Sequence, residues 1–178
     1  MKKFVLTAVL AGAACWATSS FAAANGEGQV NFSGEIIDSA CEVVNTASSP
    51  LQVSMGKIAK SVFSSVGATS TPTLFKIQLK NCPETVTSAS ITFGGTPDTN
   101  NNNVLALKSE TGVASGVGVQ ILDSSESPLN LLTPSSDYTL ESGDVTNDLQ
   151  FGARYIATSA TVTAGKANAV STFTVVYN

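Results

Sequence analysis

Phe173-Thr174-Val175-Val176-Tyr177-Asn178 closes the sequence, with Phe173, Val175 and Tyr177 alternating with Thr174 and Val176. A period of two marks a strand that buries one face. Only Asn178 follows, so the pattern predicts a sheet that finishes on an apolar strand with one edge open to another chain. Near the other end, Gly28, Val30, Phe32, Gly34 and Ile36 alternate with Gln29, Asn31, Ser33 and Glu35. This N-terminal stretch has few local partners and is a candidate to fill such an edge. The two ends together point to self-assembly rather than catalysis.

The first residues read as a secretory leader. Lys2 and Lys3 precede an apolar run from Phe4 to Ala17, and Ser20-Phe21-Ala22 has the small-x-small form of a cleavage site. The run, of about 14 residues, is short of the roughly 20 that span a bilayer. Cleavage is expected after Ala22, with Ala24 as the alternative, and an exported product follows. Cys15 lies in this leader. The preceding Gly12-Ala13-Ala14 lacks the large aliphatic residue of a lipid-attachment signal, so Cys15 is read as discarded with the leader. Cys41 and Cys82 remain, and in an oxidising compartment a disulfide between them is expected.

Without Lys2 and Lys3, seven basic residues face thirteen acidic ones, a formal charge of −6. No Lys/Arg cluster is visible, which argues against nucleic-acid and membrane-surface partners and against direct membrane insertion. Further alternation occurs at Leu51–Met55, Phe75–Leu79, Ala89–Phe93, Val117–Ile121 and Leu149–Tyr155. Pro72, Pro83, Pro97, Pro128 and Pro134 fall between these candidates, and Asn100 to Asn103 reads as an exposed turn. Many short strands separated by turn signals predict an all-β sandwich.

The chain contains no histidine, which removes the usual general base and the commonest zinc ligand. Asp38, Glu42, Asp123, Glu126, Asp137, Glu141, Asp144 and Asp148 mostly fall near turns or strand ends, where solvated charges are the default. The glycine-rich patches do not lead from a strand into a helix, so no phosphate loop is indicated. Arg154, the only arginine, sits on a strand between Ala153 and Tyr155 and is expected on its polar face. No enzyme, cofactor or metal site is indicated.

Val30-Asn31-Phe32-Ser33-Gly34-Glu35-Ile36-Ile37, the following Cys41, and the stretch Phe75 to Cys82 carry a family resemblance. Asn103 to Leu107, Val117 to Asp123, Ala153 to Thr158, the penultimate Tyr177 and Gly165, fourteenth from the end, add to it. In this order they resemble the pilin subunits of Gram-negative fimbriae assembled by the chaperone–usher route, of the type 1 major-subunit kind. The resemblance implies an incomplete immunoglobulin-like β-sandwich lacking its final strand, with an N-terminal donor-strand extension. Residues 1–22 would be the signal peptide, 23–34 the extension and 35–178 the pilin domain.

The resemblance also implies a homopolymer of pilin subunits, a periplasmic chaperone and an outer-membrane usher, with the product in an extracellular fimbria that serves cell adhesion. The chaperone would lend a strand along Phe173, Val175 and Tyr177 and clamp the Asn178 carboxylate, with Gly165 at the groove edge. Gly28, Val30 and Phe32 of the next subunit would then replace it. Gly34 and Ile36 belong either to the donor or to the domain's first strand. The segment before Val30 is slightly shorter than usual and carries Glu27, which falls on the polar register. A minor or adaptor pilin, and a glycan-binding tip adhesin, are the alternatives. Adhesins of the latter kind are longer and begin with a lectin domain.

Overall fold

The computed structural model describes residues 29–34, 36 and 40–178. The chain divides into two compact units, Met1–Ile36 and Ile37–Asn178. The expected leader, and Gly28 with it, lie outside the described residues. In the first unit, residues 29–34 carry no assigned secondary structure, and Val30 and Phe32 are 73% and 94% exposed.

The second unit is built from β1 (Glu42–Val43), a 3-10 turn (Lys60–Val62), β2 (Thr73–Lys80), β3 (Ser88–Gly95) and β4 (Val117–Leu122), followed by β5 (Pro128–Leu129), β6 (Tyr138–Thr139), β7 (Asn147–Ala157) and β8 (Ser171–Tyr177). No α-helix occurs among the described residues, so none is long and apolar enough to cross a membrane. One sheet has the order β1-β2-β7-β4-β5 and the other β6-β3-β8, with every strand pair antiparallel.

Period-two patterning explains β2, β3, β4, β7 and β8, where alternate apolar residues turn to the interior. In the larger sheet the register sets Phe75 opposite Phe151, Ile77 opposite Leu149, and Val119 opposite Tyr155. In the smaller it sets Ala89, Ile91 and Phe93 opposite Tyr177, Val175 and Phe173. The inner faces meet in one core around Phe151. Its ring stacks on Phe75 at 5.9 Å and meets the edge of Phe93 at 4.9 Å. The Cys41–Cys82 disulfide is formed and buried in the same core.

Two expectations are corrected. Leu51–Met55 forms no strand: the side chains keep their alternation, Val53 and Met55 half-buried and Gln52 and Ser54 exposed, but the segment has no ladder partner. Side-chain parity follows from the residue order, whereas a strand also needs a neighbouring backbone. Pro128 does not fall between strands but within β5, the two-residue edge strand paired to Ile121 and Leu122. An edge position tolerates the missing donor.

Candidate functional site

Among the described residues, β8 has β3 on one side and no strand on the other. The direction of its backbone groups follows from its last pair. The Asn178 N–H donates to the Ser88 carbonyl at 2.9 Å, and the Ser88 N–H donates back at 3.2 Å. Antiparallel strands alternate between such exchanging pairs and pairs that face away from each other. Thr172, Thr174 and Val176 therefore bond to β3. Phe173, Val175 and Tyr177 turn their N–H and C=O groups toward the open edge, where they find no backbone partner among the described residues.

The opposite edge of β3 is treated differently. Ser135 N–H donates to Ile91 O at 2.9 Å, Leu132 N–H donates to Phe93 O at 2.8 Å, and β6 pairs with Ser88 and Ala89. The contrast extends to the side chains. On β3, Ile91 and Phe93 are 0% and 3% exposed, whereas their β8 partners Val175 and Phe173 are only half-buried. Half-buried Met55, Phe63, Leu107, Ala167 and Ala169 pack against the same core. Along β8 the inward-facing apolar side chains are thus less covered than those of β3.

Each end of this opening is held in place. At the β8 C-terminus, the Tyr177 hydroxyl donates to the Cys41 carbonyl at 3.3 Å, and burial raises its pKa above the usual phenol range. At the β8 N-terminus lies a cleft of about 310 Å³ bounded by Ile58, Phe63, Tyr155, Val162 and Gly165. The Tyr155 hydroxyl donates to the Ala167 carbonyl at 2.8 Å, and Lys166 exchanges backbone bonds with Gly112 and Ala114, each 2.8 Å.

Those two bonds explain Gly165. A Cβ there would sit 2.5 Å from the Gly112 carbonyl oxygen and 2.6 Å from the Ala114 nitrogen, both backbone atoms that cannot swing aside. Gly165→Ala should therefore push the 165–169 segment away from 112–114, at a cost of about 1–3 kcal/mol. The check is thermal melting, where a fall of several degrees is expected. A melting temperature equal to that of the unaltered chain would remove this explanation.

Other polar side chains among the described residues pair with one another on the sheet surface. Arg154 Nε donates to Gln120 on the outer face of the larger sheet, and Asp148, bonded by Lys76 and Gln78, stays below the usual carboxylate range. No group of three metal-ligating side chains occurs among the described residues. Sequence reading anticipated the β8 wall and Gly165 but not Met55, Phe63, Leu107 and Ala167. Phe63 and Ala167 come from loops and carry no periodic signal, whereas Met55 falls in the Leu51–Met55 alternation and Leu107 in the Asn103–Leu107 stretch, neither of which marks it as packing against this core.

An antiparallel sandwich with one unpaired edge and a half-buried apolar wall along it is an incomplete immunoglobulin-like domain. The chain belongs to the fimbrial protein family, whose model matches residues 30–178. It is 42% identical to the type-1 fimbrial protein A chain of Escherichia coli, over 98% of this chain and 98% of that one. It is 36% identical to long polar fimbria protein A of Salmonella typhimurium, over 99% and 97%. Among solved structures it is similar to a type I fimbria protein of Burkholderia pseudomallei (41% identity, TM-score 0.59, 79% of this chain and 91% of that one). The P pilus rod subunit PapA shares the fold (22% identity, TM-score 0.64, 79% and 100%). The protein is a structural subunit of a fimbria.

Proposed function

We propose that the subunit polymerises by donating residues 23–34 to the open edge of β8 in the preceding copy. Val30 and Phe32, with Gly28 in the same register, enter the groove. Phe173, Val175 and Tyr177 supply the backbone ladder, so that the strand completes both hydrogen bonding and core. Before that, a periplasmic chaperone occupies the edge and holds the Asn178 carboxylate, and an outer-membrane usher hosts the exchange. The fibre is extracellular and its role is structural and adhesive, not enzymatic. The single observation behind this reading is that β8 keeps its inner face half-buried and its edge unpaired, whereas β3 is closed on both counts.

A test uses the full chain carrying Val30→Asp and Phe32→Asp, which disables its own extension, and a peptide of residues 23–36. The unaltered peptide is expected to bind, dissociate slowly and raise the melting temperature. The same peptide with Phe32→Asp should do neither. An unaltered peptide that leaves melting unchanged would remove the strand-acceptor reading.

A further inference from the structure

The charges of the folded domain are sorted along the strand axis. At the end where β8 begins, Lys57, Lys60 and Lys166 line one cleft, and the Lys108 N–H bonds to Asn168 beside it at 2.7 Å. Two carboxylates share this end: Glu110, bonded to Asn168 and Lys166, and Asp98 in the turn after β3, so the four lysines leave a positive balance. Four of the chain's lysines thus share the β8 entry. At the opposite end, where β8 finishes, the loops carry Glu84, Asp123, Glu126, Asp137, Glu141 and Asp144. The lysine there, Lys80, is bridged to Glu42 at 3.3 Å.

The described domain begins, at Ala40 and Cys41, at its acidic end. Cys41 is tied to Cys82 at the close of β2 and precedes β1, which pairs with Leu79 and Lys80. A strand added antiparallel to β8 starts at Tyr177 and finishes at Phe173, beside the lysine cleft. The donor's own domain then begins just beyond that cleft and presents its acidic end to it. In the sequence, Glu35 and Asp38 fall between the donor residues and Cys41. A parallel strand would instead bring acidic end to acidic end.

Resting on the strand-donation reading, we propose that Lys57, Lys60, Lys108 and Lys166 form a docking face for the acidic end of the next copy. This face sets the direction of the incoming strand and speeds its arrival. The interface is heterologous, head to tail, and so propagates rather than closes. Opposed charges over a Debye length of about 30 Å at low salt steer association, with rate gains of about tenfold or more.

The experiment follows end-to-end joining of full chains at about 10 mM and about 1 M salt. Joining should be roughly tenfold faster at low salt. Reversal of the basic end (Lys57→Glu, Lys60→Glu, Lys166→Glu) should abolish that gain. Reversing Glu84, Glu141 and Asp144 to Lys on the same chain should restore it. The peptide of residues 23–36 with Glu27→Gln and Glu35→Gln, which carries no acidic domain, should bind original and reversed chains equally, showing that the groove is intact. Equal joining rates for original and reversed chains alongside normal peptide binding would overturn the docking face and leave strand donation standing. Failure of the peptide on the original chain would overturn both.

Discussion

A chain lacking residues 23–34 is expected to be captured by the chaperone as before and to add nothing to a growing fibre. Val30 and Phe32 are exposed in the isolated subunit, so their removal takes no buried side chain from the domain itself. Their burial in a neighbour contributes about 1.5–3 kcal/mol each. Losing both weakens the contact by about two to four powers of ten, before the backbone ladder is counted. Val30→Asp with Phe32→Asp should reproduce the defect at full length, because a charge entering the apolar surroundings of Phe173, Val175 and Tyr177 has no partner there. Electron microscopy and size-exclusion chromatography report the outcome. Normal fibres from the truncated chain would show that the junction is made elsewhere.

Replacing both bridged cysteines (Cys41→Ser with Cys82→Ser) should produce the other large effect. The bridge closes a loop of 41 residues, worth roughly 4 kcal/mol by chain entropy. Its loss also reaches the groove. Cys41 accepts the Tyr177 hydroxyl at the end of β8, and the Cys82 carbonyl accepts the Gly143 N–H at 2.8 Å. The variant should unfold at lower denaturant, accumulate poorly in the periplasm and bind the donor peptide more weakly. Accumulation and peptide affinity equal to those of the unaltered chain would show that the bridge supports neither fold nor groove.

What the sequence conveyed depended on whether a residue's environment is local. β2, β3, β4, β7 and β8 were legible because one buried face imposes alternation on six or more residues. β1, β5 and β6 are two residues each, too short for any period to register. Leu51–Met55 kept its parity without becoming a strand, because pairing depends on a backbone brought from elsewhere. The β8 wall could be read from Phe173, Val175 and Tyr177, whereas Phe63 and Leu107 in the facing loops could not. Gly165 was recognisable as a family marker. Its physical reason, the backbone of 112–114 at contact distance, appears only in three dimensions. Likewise, the sparse lysines look scattered along the chain, and folding collects four of them at one end.

Amide hydrogen exchange along β8 tests the central claim most directly, since the strand carries its own control. Thr172, Thr174 and Val176 bond to β3 whether or not the edge is filled. Phe173, Val175 and Tyr177 have no such partner within the described domain and would be bonded by the proposed donor strand. In the isolated full chain the first three amides should be protected and the second three should exchange freely; in the fibre all six should be protected. Protection of Phe173, Val175 and Tyr177 already present in the isolated chain, or still absent in the fibre, would contradict the account.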